Sequence, residues 1–433
     1  MSVRLFAPLP GRPLRRAELA AVAALALAGS LWMLWSHAWQ VTLNDYGLEA
    51  MRPLVALLHA RIWLFLSTAP AYGPSLVLRA PFALGASLAH GTELLVYRLS
   101  ALPCLLALAG LAVWIAPQLR AAGRGWLAIL LTLAVCVLNP VTYFALAIGH
   151  PEEILGAVLC VAAVVAVLRG HANWAGFLLG VAIANKEWAV VAIGPVLVAL
   201  PEQRIRALLV ATGVGGVLLG PLALASGTLA SAGARLTVSD GASNFYTQQL
   251  WWFFGTPAHW TLQTHDQVML GFRFPPAWLA GHAHILIASI GLPLSYFATR
   301  RRMPRENALA LLALLMLLRC GLDPWDLVYY QLPFIAALLS WETVVKGRAP
   351  VGAAIATAAA YAIFEQLPYH LSADQQALAF TIPCLVALLV LSATVYRFPL
   401  VPRSTSMHSA RTCASAPVTS IRSAIRMPGT PSG

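Results

Sequence analysis

Lysine is almost missing from this chain. Only Lys186 and Lys346 occur in 433 residues, and charged side chains together make up 10% of them. A soluble domain carries about 25%, so a chain this poor in charge cannot turn most of its residues toward water. The net charge of +12 comes from arginines scattered in short segments between apolar runs. That scatter argues against a nucleic-acid partner and matches the loops of a membrane protein. Paired cysteines are missing too. Cys104, Cys136, Cys160, Cys320, Cys384 and Cys413 include no Cys-x-x-Cys pair, and five of them lie in or beside apolar runs. Neither a disulfide framework nor a zinc site is indicated; small buried apolar residues are the simpler reading. No Asp-x-Asp or Glu-x-Asp pair follows the first apolar run, and no internal repeat is visible.

What the chain has in quantity is hydrophobic residues, 59% of the total. Apolar runs near the ~20-residue length of a bilayer crossing recur at 17–39, 93–116, 126–146, 153–168, 174–184, 188–200, 207–229, 281–299, 306–320, 328–345, 350–365 and 376–396. They predict an all-α polytopic transmembrane bundle of about twelve spans within residues 1–396, with a long first external loop at 40–92. The run after Arg4, Arg12, Arg15 and Arg16 is too long for a signal peptide and reads as a retained first span. The pieces 174–184 and 188–200 are short and are separated by Asn185-Lys186-Glu187-Trp188, which predicts two short helices or a re-entrant pair. With twelve spans, 20 of the 28 basic residues fall on one side. That side is the cytoplasm, it holds both termini, and the membrane is expected to be the plasma membrane. The opposite loops are longer, acidic and aromatic. Residues 397–433, rich in Ser, Thr, Pro and Arg, predict a disordered basic cytoplasmic tail.

Several residues stand out at the outer boundary. Asp45 follows the first span within a few residues. A carboxylate there suits a general base that takes a proton from a sugar hydroxyl on a lipid-linked substrate; it equally suits a helix cap. The loop after it also carries Glu49, Arg52, His59, Arg61, Tyr72 and Arg79. Gly149-His150-Pro151-Glu152-Glu153 crowds two carboxylates and an imidazole between spans. It reads either as a substrate contact or as helix initiation by Pro and Glu. Lys186 lies in an otherwise apolar stretch, where a charge is expensive. It can hold a lipid phosphate as a point charge or pair with an internal acid. Asn244 to Phe254 and His265 with Arg273 mark a second outer loop, whose aromatics suit an interfacial belt or sugar stacking. Arg319 can pair with phosphate or with Asp323, and Tyr329 and Tyr330 begin the next helix.

Together these stretches resemble the polyprenol-phosphate-dependent mannosyltransferases of the membrane GT-C class, most closely glycosyltransferase family 87. Four features carry the resemblance: Asp45 just past the first span; Tyr72-Gly73-Pro74 followed by Pro81; Gly149-His150-Pro151-Glu152 with the later Asn185-Lys186-Glu187-Trp188; and Leu322-Asp323-Pro324-Trp325 with Tyr329-Tyr330 and Pro333. It covers roughly residues 20–395. The resemblance implies a GT-C-type bundle with a helical first external loop. It implies inverting transfer of a sugar, mannose or another such as arabinose, from a polyprenyl-phosphate donor to a glycolipid or polysaccharide acceptor. Asp45 is then the base. Lys186 with Arg52, Arg61, Arg79 or Arg319 would stabilise the leaving phosphate, and Tyr72, His150, Glu152, Asp323, Tyr329 and Tyr330 would line the substrate site. No metal and no cofactor is called for. The competing class is a transporter or flippase, which intramembrane Lys186 and short broken helices also suit.

Overall fold

The computed structural model describes residues 12–36, 41–226, 247–257, 262–264, 267–269, 273–274, 276–280, 282–324 and 326–397. Most of them are helical. In chain order the helices are α1 (Arg16–Trp35), α2 (Met51–Leu58), α3 (Ile62–Thr68), α4 (Gly73–Leu88), α5 (Glu93–Ala121), α6 (Trp126–Val137), α7 (Pro140–Ile148), α8 (Pro151–Leu168), α9 (Ala172–Asn185), α10 (Ile193–Ala199), α11 (Arg204–Ser226), α12 (Ala277–Ala280), α13 (Ala283–Arg300), α14 (Ala308–Leu322), α15 (Leu332–Ser340), α16 (Val351–Tyr361) and α17 (Ala373–Tyr396). Among the described residues strand occurs as two small antiparallel pairs, Thr256–Pro257 with Arg273–Phe274 and Leu262–Thr264 with Gln267–Met269.

The helix boundaries follow from local chemistry. The Thr92 hydroxyl accepts from the Leu95 amide at 3.3 Å and starts α5, whose 29 residues make it the longest described helix. At 1.5 Å per residue it is roughly 43 Å long, more than the ~30 Å hydrocarbon of a bilayer. Asn139 breaks α6 from α7: its side chain accepts from the Val141 amide at 2.8 Å, and Pro140 opens the new helix. Ser372 and Gln375 form a reciprocal box at the start of α17, with the Ser372 amide donating to Gln375 at 3.0 Å.

Each of the twelve apolar stretches is mainly helical where it is described, some as one helix, some broken by π or 3-10 turns, and 126–146 interrupted at Leu138-Asn139. Among the described residues six helical segments are long and apolar enough to cross a membrane: Arg16–Trp35, Glu93–Ala121, Trp126–Ile148 (α6 with α7), Pro151–Leu168, Arg204–Ala225 and Ala373–Tyr396. The outer ones turn large apolar side chains outward, including Leu224, Leu127, Val217 and Leu389. Water would make such a surface unstable, and lipid satisfies it. This is an all-α membrane protein. Between 172 and 199 the chain forms two short helices, not one. It breaks at Lys186, whose backbone is extended, and resumes as a 3-10 turn at Glu187–Ala192.

α8 is the most enclosed of the six, with 78% of its span buried. It packs on α5, α9, α10, α14 and α15. Whatever its first turn carries is therefore held from all sides. The tail from 398 onward, Asn244 to Tyr246, His265 and Trp325 lie outside the described residues.

Candidate functional site

The first turn of α8 carries Glu152 and Glu153, both fully buried. Pro151 at the helix start and the positive end of the helix dipole favour carboxylates there. Dipole alone does not offset the burial of two charges, and four cationic groups do the rest. Glu152 Oε2 receives Arg79 Nη1 at 2.8 Å, and its Oε1 meets His150 Nδ1 at 2.7 Å and Lys186 Nζ at 3.3 Å. Its backbone carbonyl accepts from the Asn185 side chain at 2.9 Å. Glu153 lies 3.6 Å from Lys186 Nζ and 4.0 Å from Arg319 Nη1. Neither of its oxygens has a hydrogen bond.

Asp45 reaches this cluster through His150, whose Nε2 lies 3.0 Å from Asp45 Oδ2. The contact depends on how residues 44–50 dock on the end of α7. Asn44 donates to the Ala147 carbonyl at 3.0 Å and accepts from the Gly47 amide at 3.2 Å, which holds the chain as it enters a π turn at Tyr46–Ala50. Tyr46 stacks on Tyr97 at 4.5 Å between centroids, and the Tyr97 hydroxyl donates to the Leu146 carbonyl. Gly149 makes the approach possible. It closes α7 at φ +109°, and a side chain there would collide with the Tyr46 backbone.

The Asp45 side chain is 38% exposed, whereas His150 behind it is 9% exposed. The site is thus a chain of charge running inward from an accessible carboxylate. Burial and the Lys186 ammonium push the His150 imidazole down. The charge of Glu152 and the hydrogen bonds to Asp45 and Glu152 outweigh them and lift it to about 9. Tyr72 forms a second arm. Its hydroxyl donates to Glu49 at 2.7 Å, its ring lies 4.3 Å from Lys186 Nζ, and burial holds it well above the usual phenol range.

Arg319 occupies the last turn of α14 between the rings of Trp188 and Tyr330, 4.9 and 4.5 Å from their centroids. It also donates to the Tyr330 carbonyl at 3.4 Å. Tyr329 stacks beside His150 at 5.3 Å and Tyr330 beside Tyr329 at 5.0 Å. Asp45, Tyr72, Arg79, His150, Glu152, Lys186, Arg319, Tyr329 and Tyr330, chosen from sequence, are therefore in one connected group. Two chosen residues stand apart: Arg52 and Arg61 are exposed on the segment between α1 and α5. Asp323 lies at the edge of the group; it caps the end of α14, its amide donates to the Arg319 carbonyl at 2.9 Å, and its side chain pairs with His284 at 3.8 Å. Arg79 is in the group but fully buried; it is engaged by Glu152 and by the Ser100 carbonyl at 3.1 Å, which removes it from reach of a substrate.

Sequence reasoning left Glu49, Glu153 and Trp188 without roles. Glu49 is four residues after Asp45, and Glu153 and Trp188 adjoin assigned residues, so spacing alone could have picked out all three. Among the described residues no three His, Cys, Asp or Glu side chains are grouped to hold a metal ion. Chemically, the arrangement offers an accessible carboxylate backed by an imidazole, beside two cations walled by aromatic rings. Comparison with models of known families, with curated proteins and with solved structures finds no match for this chain.

Proposed function

We propose that this chain is a membrane glycosyltransferase of GT-C type. In this reading it crosses the plasma membrane twelve times, with both termini in the cytoplasm and the site at the outer face. It moves a sugar, mannose by resemblance, from a polyprenyl-phosphate donor to a glycolipid or polysaccharide acceptor. The observation that carries the reading is the half-exposed Asp45 carboxylate fixed at the mouth of a buried cationic cluster. Inverting transfer needs those two elements together. The acceptor O–H bond breaks and its proton goes to Asp45. The acceptor oxygen bonds to the anomeric carbon from the face opposite the leaving group. The bond from that carbon to the phosphate oxygen breaks, and its electron pair leaves with the lipid phosphate.

Lys186 and Arg319 stabilise that phosphate. Their distances to Glu153, 3.6 and 4.0 Å, exceed a hydrogen bond, which leaves N–H donors for an anion. The rings of Tyr72, Trp188 and Tyr330 screen both cations from bulk water, which would weaken their attraction for an anion. Arg52 and Arg61 are too exposed to share that work, and Arg79 is taken up by Glu152.

A transporter is the second reading, and Glu153 favours it. A buried carboxylate without a hydrogen bond, set between one cation at a helix break and another in the last turn of α14, suits a group that exchanges partners during transport.

The test is transfer of radiolabelled polyprenyl-phosphate mannose to membrane lipid by membranes containing wild type or Asp45→Asn, with and without EDTA. Label entering a new glycolipid with wild type alone supports the glycosyltransferase. Equal labelling by both proteins removes Asp45 from the chemistry, and no labelling by either favours the transporter.

A further inference from the structure

His150 is the link between the accessible carboxylate and the buried network, and both of its ring nitrogens face carboxylate oxygens. Nδ1 lies 2.7 Å from Glu152 Oε1, and Nε2 lies 3.0 Å from Asp45 Oδ2. A carboxylate only accepts, and a neutral imidazole has one donor and one acceptor. With both carboxylates ionised, a neutral ring would set a lone pair against an oxygen. Glu152 is held ionised by Arg79 at 2.8 Å and Lys186 at 3.3 Å. Asp45, by its exposure, is open to water.

We propose that His150 is the positioning residue of this site: an imidazolium clamp that fixes and aims the Asp45 carboxylate by tying it to the anchored Glu152–Arg79 pair. The proposal rests on the glycosyl-transfer reading for its consequence but not for its chemistry. The titratable and charged groups facing the ring are Asp45 from the segment before the π turn, Glu152 from α8, Lys186 from the α9–α10 break, Tyr72 from the start of α4 and Tyr329 from the 3-10 turn Val328–Gln331. Two are carboxylates in direct contact, one is a cation, and two are phenols. Tyr72 is raised by burial and stays neutral. The contacts therefore favour the charged ring over the repulsion from Lys186, consistent with its rise to about 9.

The clamp assigns a division of labour. Asp45 Oδ2 is taken by His150, so the other oxygen is the one that receives the acceptor proton. Because the ring is already doubly protonated, that proton returns to water from Asp45 and does not pass inward to Glu152. Loss of the clamp leaves Asp45 in place but free to rotate, which lowers the rate of the chemical step and leaves donor binding alone.

The experiment uses the full-length protein in two measurements. The first records kcat and KM from pH 6 to 10 for wild type, His150→Ala, His150→Gln, Asp45→Asn and Asp45→Asn/His150→Ala. The expected result is a fall in kcat of about 10²-fold in His150→Ala with KM unchanged and partial recovery in His150→Gln. Wild type should lose activity as pH rises through about 9, and the double variant should be no slower than Asp45→Asn alone. Wild-type kcat in His150→Ala, or losses that multiply in the double variant, would overturn the proposal. The second measurement needs no activity and covers failure of a variant to fold. Ring-nitrogen NMR of wild type labelled in histidine, with His150 assigned by its disappearance in His150→Gln, should show both nitrogens protonated at pH 7.5. A neutral His150 ring at that pH overturns the clamp. A protonated ring in a protein without transfer activity retains the clamp and rejects the reaction.

Discussion

Glu152 is the residue to which the rest of the site is tied, and its environment sets the expected cost of changing its partners. It is fully buried and shared by Arg79, His150 and Lys186. Removing one partner of a buried ion pair leaves an uncompensated charge and costs about 3–5 kcal/mol. Arg79→Met should therefore lower the thermal midpoint of the detergent-solubilised protein sharply, and Arg79→Lys, which keeps the charge, should lower it less. A midpoint unchanged in Arg79→Met would mean that the pair contributes nothing to stability. At this scale much was legible from sequence. Asp45, His150, Glu152 and Lys186 were visible as polar residues at the boundaries of apolar runs, where charge is costly and calls for a reason. What sequence hides is which cation serves the substrate and which serves the protein. Arg79 looks like any other arginine of the segment between α1 and α5 until the fold buries it against Glu152 and Ser100.

Among the elements, the junction from α7 to α8 matters most. Gly149 has φ +109° and no room for a side chain beside Tyr46. Gly149→Ala should cost at least 1 kcal/mol in stability from the backbone alone. It should also push Tyr46 and Asp45 away from His150, so activity should fall more than the melt does. Asn139→Ala, which removes only a helix cap, should cost about 1 kcal/mol and leave the rate of the folded fraction unchanged. Equal effects of the two on rate per folded molecule would contradict the docking role of Gly149.

The same junction predicts a pH dependence. His150 is raised from 6.5 to about 9 by folding, so the folded state holds its proton more tightly than the unfolded chain. Its contribution is complete below about pH 6.5 and disappears as pH rises through about 9, a loss of roughly 3 kcal/mol at most. The melting midpoint of wild type should therefore drop between pH 7 and 9.5, and His150→Gln should flatten that drop. A wild-type midpoint that stays level over this range would contradict the ion pairs of His150. The breaks at Pro151 and Lys186 were readable, whereas the one at Asn139-Pro140 falls inside the run 126–146, which reads as a single span. The π turn after Asp45 was not readable either, because it exists only by docking on α7, a tertiary contact without local signature.

For the whole molecule, the apolar runs were the clearest signal, and each is mainly helical where it is described. The number of crossings is less legible, because several runs are split into pieces shorter than a bilayer is thick and, among the described residues, six helical segments are long enough. The twelve-span reading places Ser67 outside and Glu202 inside, both exposed. The five described cysteines are buried, so with Cys413 changed to Ser, cysteines introduced at these two positions should report sidedness. An impermeant maleimide added to intact cells should label Ser67→Cys and not Glu202→Cys; the reverse, or labelling of both, would contradict the topology and with it the outward-facing site. The central claim is that Asp45, aimed from behind by a buried charge network, takes the acceptor proton. Its most direct test is a single-turnover measurement in proteoliposomes preloaded with polyprenyl-phosphate mannose, comparing wild type with Asp45→Asn at equal donor occupancy. The account predicts that Asp45→Asn binds donor as wild type does and transfers its sugar at least about 10²-fold more slowly. Transfer at the wild-type rate by Asp45→Asn would contradict it.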